Sequence, residues 1–181
     1  AASELSIVNA GGAQAEVLVD YFSADEVVEN AAKAFVKEVH RRTGILLPIR
    51  QGSAQPGNVS IHIGNTDGDS SLNDALAKLG HKPVSSDAPG KEGYQIVSGR
   101  VDGLDILVVN GCDSLGAFHG VGRLLRKMRF VDGGASAPSD LNISSAPASW
   151  QRRFIFEANA GFANTTPDGW REIWTDYIFW G

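Results

Sequence analysis

Residues Gly111 to Met128, GCDSLGAFHGVGRLLRKM, read as an amphipathic helix that nevertheless holds glycines inside it. Leu115, Phe118, Val121, Leu125 and Met128 recur at steps of three and four, the helical period. Asp113 or Ser114 can cap the start, and Arg123, Arg126, Lys127 and Arg129 crowd the end, where cations complement the helix dipole. Gly116, Gly120 and Gly122 interrupt it, each weakening a helix by roughly 1 kcal/mol relative to alanine. A chain that keeps such weakening needs the backbone of this element close to something else. Gly116 and Gly120 share one stripe, and Gly122 lies on the adjoining apolar stripe beside Phe118 and Leu125. Small residues there permit a close approach, and dispersion contacts then offset the lost propensity. The neighbour is either the helix's own sheet or an adjoining domain.

The preceding residues supply a sheet. AEVLVDYF, Ala15 to Phe22, predicts a strand. Ser23 precedes Glu26 by the capping-box spacing, and Val28, Ala32, Phe35 and Val39 mark one face of a helix that Gly44 stops. ILLPI predicts a short strand, with Pro48 placing it at an edge or a strand end. In NVSIHIG, Val59, Ile61 and Ile63 alternate inward against Ser60 and His62 outward, which predicts a sheet with one wetter face. Ser71 opens a short helix carrying Leu72, Leu76 and Leu79, closed by Gly80. EGYQIVSG and LDILVVNG are two strands joined by a turn at Asp102 and Gly103. The order β-α-β-β-α-β-β-α predicts an α+β fold: a two-layer α/β sandwich on a mixed or antiparallel sheet, with helices mainly on one face.

Composition narrows the classes of function. A chain of 181 residues, 43% hydrophobic, can bury a core of its own, and its single cysteine, Cys112, cannot form an internal disulfide. The net charge is -5 and the basic residues are scattered apart from the end of the glycine helix, which argues against nucleic acid as a partner. No apolar run is long enough to span a membrane. The start, Ala1-Ala2-Ser3, reads either as a mature chain after loss of a signal peptide or as a trimmed product. The first reading implies an extracytoplasmic place, periplasmic or secreted.

After Phe130 the character changes. VDGGASAPSDLNISSAPAS is rich in Gly, Ala, Ser and Pro, and predicts a linker over 134–149 between an α/β domain at 1–133 and a further segment at 150–181. All four tryptophans, Trp150, Trp170, Trp174 and Trp180, lie in that segment. WREIWTDYIFWG places Trp170, Ile173, Trp174, Tyr177 and Ile178 at helical spacing, an apolar helix that needs a large surface to bury against. It reads as the opening of a second domain, cut short, whose aromatics are hidden either by laying the segment on the chain's own helices or by pairing of two copies into a homodimer.

From Glu92 to Phe130 the pattern is a strand holding Tyr94, a hairpin to Leu104–Val109, then Gly116-x-x-x-Gly120 and Leu124-Leu125. This run resembles the N-terminal α/β domain that precedes the catalytic barrel in glycoside hydrolases such as β-N-acetylhexosaminidases and α-glucuronidases. His119 stands where those families show a tyrosine before the second glycine. The resemblance covers about residues 10 to 155. It implies a domain without chemistry of its own, whose partner is the (β/α)₈ barrel of the parent chain and which meets carbohydrate only through that parent. It also names 150–181: QRRFIFEAN would be the first barrel strand and GWREIWTDYIFWG the first helix. Arg153 at the start of that strand, and Glu157 and Asn159 at its end, would then face the parent's substrate, because barrel sites lie past the C-terminal ends of strands. The families' Arg-Gly and Asp are replaced by Arg153-Phe154 and Glu157, which leaves the substrate class open.

Other constellations fail on their own chemistry. Glycoside hydrolysis needs two carboxylates about the scissile bond, and no such pair stands out in this chain. NTDGDSS alternates Asn65, Asp67 and Asp69 as a calcium loop does, but Ser70 and Leu76 occupy the positions where an EF-hand needs glycine and glutamate. His40, His62, His81 and His119 show no ligand spacing and read as surface or core residues. Ser114 lacks the Gly-x-Ser-x-Gly elbow of a hydrolase nucleophile. No catalytic residue, metal or cofactor is therefore expected. The favoured reading is a non-catalytic accessory domain of an exported glycoside hydrolase, with the start of its barrel. The alternative is a self-standing carbohydrate-binding or protein-interaction module, against which stands the lack of tryptophan before position 150.

Overall fold

The structure is a computed structural model in which residues 3–19, 26–66 and 70–148 are described. The strands are β1 (Glu4–Asn9), β2 (Gly12–Ala13), β3 (Ala15–Leu18), β4 (Ile49–Arg50), β5 (Val59–Asn65), β6 (Tyr94–Val101), β7 (Leu104–Gly111), β8 (Arg129–Val131), β9 (Gly134–Pro138) and β10 (Asn142–Ser145). The helices are α1 (Glu26–Thr43) between β3 and β4, α2 (Ser70–Lys78) between β5 and β6, and α3 (Ser114–Lys127) between β7 and β8. From β3 to α3 the order is the expected β-α-β-β-α-β-β-α, and the fold is α+β.

Two sheets organise it. Six strands run in the order β10-β6-β7-β5-β3-β4, and four in the order β2-β1-β9-β8. In the larger sheet β3, β4, β5 and β7 are parallel, while β6 and β10 are antiparallel additions at one side. The smaller sheet is wholly antiparallel.

Local chemistry accounts for the helix ends. Glu26 and Glu29 lie in the first turn of α1 and His40, Arg41 and Arg42 in the last, each sign matching the dipole. Gly44 ends α1 at φ +74°, its N–H donating to the His40 carbonyl at 2.8 Å. Gly80 does the same for α2 at φ +75°, with His81 donating back to Leu76 at 2.9 Å. The β6–β7 turn holds Asp102 at φ 52° and Gly103 at φ 78°, the doubly left-handed pair that matches a hairpin's twist.

Register decides which side chains share a face. Glu16 pairs with Ser60 and Ser60 with Ile106; Leu18 pairs with His62 and His62 with Val108; Gly64 pairs with Asn110. Leu72, Ala75 and Leu76 of α2 pack on Val97, Ile106 and Val108 of that face. The opposite face carries Val17, Ile61, Ile63, Leu107 and Val109, and takes α3, with α1 packed beside it. Helices thus lie mainly on one face, with α2 alone on the other.

Four expectations are corrected. The stretch 134–149 is not a linker: β9 pairs with β1 and β8, β10 pairs with β6, and Ala135, Ala137 and Leu141 are buried. Backbone hydrogen bonds hold these strands whatever their side chains, and a Gly/Ser/Pro count does not distinguish that from a flexible connector. The contact boundary falls after Pro147. The strand predicted at 45–49 is reduced to β4, because Pro48 has no N–H to donate and its carbonyl serves Val17 at 2.9 Å instead. It does lie at an edge. The wetter face of β5 is not wet: Ser60 and His62 are 5% and 8% exposed, covered from the α2 side. Leu115 keeps the helical period but is 41% exposed, while Ala117 and Leu124 are fully buried in its place. Ser23, the turn 67–69 and everything from position 149 on, including Arg153, Glu157, Asn159 and the aromatic helix, lie outside the described residues.

Candidate functional site

Two glycines of α3, Gly116 and Gly120, press against the β6–β7 hairpin and the residues just before it. A Cβ on Gly116 would overlap the Gly93 carbonyl oxygen, and one on Gly120 would stand 2.6 Å from Val109 Cγ1 and 3.2 Å from Tyr94 Cβ. Backbone meets backbone at the first position and a hairpin side chain at the second. Asp113 fixes the junction from both sides. Its Oδ1 accepts the Gly116 N–H at 2.8 Å as the N-cap, and its Oδ2 accepts the Glu92 N–H at 2.9 Å. The Gly93 carbonyl also accepts the Cys112 N–H at 2.9 Å. The residues from Glu92 to Leu125 therefore form one welded unit.

The other residues singled out by type have structural partners. Ser114 Oγ accepts from Asn65 Nδ2 at 3.0 Å, and Thr66 Oγ1 donates to the Val84 carbonyl at 2.6 Å. The Cys112 thiol donates to the Gly90 carbonyl at 3.0 Å, and burial pushes its pKa up, the opposite of an activated nucleophile. His40 is exposed at the end of α1, His81 lies 3.3 Å from Gln95, and His119 Nε2 lies 3.8 Å from Glu92 Oε2. Among the described residues no group of His, Cys, Asp and Glu is arranged to hold a metal, and no helix is long and apolar enough to cross a membrane.

The α2 face of the large sheet concentrates the polarity. Among the described residues the buried polar side chains are Glu16, Ser60, His62 and Asn110, and by register all four point to this one face. Glu16, fully buried, accepts the Gln55 N–H and meets Arg50 Nε at 3.1 Å, which pins the loop after β4. Asn110 Oδ1 accepts the Val84 N–H at 2.9 Å, and Ser60 Oγ donates to the Asp105 carbonyl at 3.3 Å. His62 Nδ1 has no partner within the protein.

Beside His62 lies a cleft of about 180 Å³, between α2 and the loop after β4. Ser60, His62, Asp74, Lys78, Leu104 and Asp105 line it. Burial, with Lys78 as a second cause, holds the His62 pKa down to about 4, so its ring is neutral at pH 7. Asp105 is committed to Arg100 through two short bonds of 2.6 and 2.7 Å. The alternation in NVSIHIG identified His62 and Ser60 as a polar pair but placed them in water. The pair Asp74 and Lys78, one helical turn apart on α2, was the signal that a polar helix edge faces them.

No protein-family model matches the chain, and no curated protein sequence matches it significantly. Several solved glycoside hydrolase structures are similar to it over part of their length. A chitobiase from Flavobacterium johnsoniae is 15% identical with a TM-score of 0.48, over 82% of this chain and 19% of that one. The GH20 β-N-acetylhexosaminidase from Streptomyces coelicolor A3(2) is 13% identical with a TM-score of 0.47, over 78% of this chain and 24% of that one. A family GH115 4-O-methyl-α-glucuronidase, BtGH115A, is 17% identical with a TM-score of 0.46, over 68% of this chain and 14% of that one. The chain thus spans about a fifth of the length of the solved structures it matches.

Proposed function

We propose that this chain carries the non-catalytic N-terminal α/β domain of an exported glycoside hydrolase, followed by the opening of its catalytic barrel. One observation carries the reading. The residues through which the sequence resembles that domain act together: Gly116 abuts Gly93, Gly120 abuts Tyr94 and Val109, and Leu124 and Leu125 of the same helix are buried. A pattern of scattered identities becomes a single packing unit of hairpin and helix. Such a unit supplies rigidity, and its role is to support a neighbouring catalytic domain that acts on polysaccharide or glycan.

The coding sequence downstream of Gly181 tests this directly. Roughly 250 residues of alternating strand and helix are expected there, the length of a barrel. A downstream sequence that encodes no barrel overturns the reading. On the chain itself, aryl glycosides of glucuronic acid and of N-acetylhexosamines should remain unhydrolysed. Turnover that is abolished by substituting an Asp or Glu within residues 3–148 would show that the domain does chemistry.

A further inference from the structure

We propose that Asn142 is an acceptor site for an N-linked glycan. The signal is Asp140-Leu141-Asn142-Ile143-Ser144. Asn-x-Ser, with a residue other than proline in the middle, marks an asparagine whose amide nitrogen can receive an oligosaccharide. Oligosaccharyltransferases of the bacterial type require in addition an acidic residue two positions before the asparagine, which Asp140 supplies. The chain holds two further triplets of this kind, Asn58-Val59-Ser60 and Asn164-Thr165-Thr166, but Pro56 and Phe162 stand where the acid is needed. Only the stretch from Asp140 to Ser144 is complete.

The fold presents this signal and withdraws another. Asp140, Asn142 and Ser144 are exposed, while Leu141 is buried and Ile143 half-buried, so the alternation of extended chain turns all three acceptor groups outward. β10 is 4 residues long, stands at one edge of the large sheet and pairs with β6 on its inner side. A short strand held from one side opens locally at low cost and leaves room for a bulky substituent. At Asn58 the opposite holds. Val59 and Ser60 are buried, the Ser60 hydroxyl is given to the Asp105 carbonyl, and β5 lies between β3 and β7 inside the sheet. Asn164 lies outside the described residues. The transfer is a substitution without redox change. Asn142 Nδ2 attacks the anomeric carbon of a lipid-linked oligosaccharyl diphosphate, and the new C–N bond forms as the C–O bond to the diphosphate breaks. The lipid diphosphate leaves, and the amide gives up one proton. Such transfer takes place on exported chains, so the inference rests on the exported reading given above.

The test imposes export. An added signal peptide sends the full chain to a bacterial periplasm that holds an acid-requiring oligosaccharyltransferase and its lipid-linked oligosaccharide. Glycopeptides are then assigned by mass spectrometry. Asn142 is expected to be occupied in most chains, and Asn58 and Asn164 in almost none. Asn142→Gln, Ser144→Ala and Asp140→Ala should each abolish the modification at Asn142, and Ser144→Thr should keep it, with the circular dichroism spectrum unchanged throughout. Where secretion is poor, purified full chain incubated with the same enzyme and donor gives the same comparison. An unmodified Asn142 in the secreted or incubated chain, or glycan at Asn142 that survives Ser144→Ala, overturns the proposal. Because export is imposed, that failure would count against the acceptor site and leave the exported reading of the chain untouched.

Discussion

Val17, Ile61, Ile63, Leu107 and Val109 point to one face of the large sheet and are all fully buried beneath α1 and α3. Glu16, Ser60, His62 and Asn110 point to the other from the same three strands, and are buried almost as completely. The first face is apolar and is approached by α3, whose Gly120 lies against Val109 and whose Gly116 meets the Gly93 backbone. The second is covered by α2, only Ser70–Lys78 long, and by a loop, and it retains polar groups and a cleft. Alternation of polar and apolar residues therefore reports which residues share a face. Whether that face meets water is decided by what the chain lays over it.

The sharpest way to break this contrast is at Gly116. Alanine there gains up to about 1 kcal/mol of helix propensity, but its Cβ has no space against the Gly93 carbonyl. Because the obstacle is backbone fixed by Asp113 and Cys112, Gly116→Ala should destabilise the fold by more than about 3 kcal/mol in a urea melt. A raised melting temperature would mean that α3 does not press on its sheet as described.

The second face should betray itself through pH. The folded His62 pKa is about 4 against an ordinary value of 6.5, because burial, and then Lys78, disfavour the imidazolium. Between those two values the unfolded chain binds a proton that the folded chain does not, so stability rises with pH across that window. His62 accordingly contributes a full loss of about 3 kcal/mol as pH falls from 6.5 to 4. Glu38, whose carboxyl Arg41 and Arg42 hold below its ordinary value of 4.5, adds a further loss that sets in only as pH falls through that value. Chemical denaturation from pH 7 to pH 4 should show the first slope, and His62→Gln should flatten it. A wild-type curve flat across that range would mean that water reaches the ring.

These two faces also show how far the sequence alone could be read. The elements from β3 to α3 were legible because each carries its own punctuation: Gly44, Gly80, Asp102-Gly103 and Asp113. The strands β8 to β10 were missed although Asp132-Gly133 repeats the signal of Asp102-Gly103, with Gly133 at φ +71° and Val131 paired to Gly134. What hid them was side-chain size: Ala135 and Ala137 bury little apolar area and look like linker composition. β1 was overlooked for another reason: its local partner β2 is only two residues long, and its main partner β9 lies more than a hundred residues away. The cleft failed to appear because its parts, Ser60 and His62 on a strand and Asp74 and Lys78 on a helix, become one site only through cover that is set by tertiary packing.

Gly120 sharpens the comparison with a smaller effect. Its obstacle is the Val109 side chain at 2.6 Å, which can shift, rather than backbone. Gly120→Ala should therefore cost about 1 to 2 kcal/mol, net of the helix propensity it gains. Val109→Ala made in the same chain should remove most of that penalty, giving a coupling energy of about 1 kcal/mol in a double-mutant cycle. Simple additivity of the two changes would separate α3 from this part of the hairpin.

The smallest effect is expected at Leu115, which shares the helical period of Phe118 and Val121 but lies outside the packed stripe. At 41% exposure it keeps much of its side chain in water, and it follows directly after Ser114 in the first turn of α3. The apolar area that a substitution would expose is correspondingly small, and surface changes away from packed groups stay within about 0.5 kcal/mol. Leu115→Gln should leave the urea midpoint of the full chain nearly unchanged, while Leu124→Ala, at a fully buried position one face round, should cost about 3 kcal/mol. The pair tests the packed stripe of α3 at its border. A loss above about 1 kcal/mol for Leu115→Gln would mean that this end of the helix is covered in solution, and that the apolar face of α3 extends further than its own sheet.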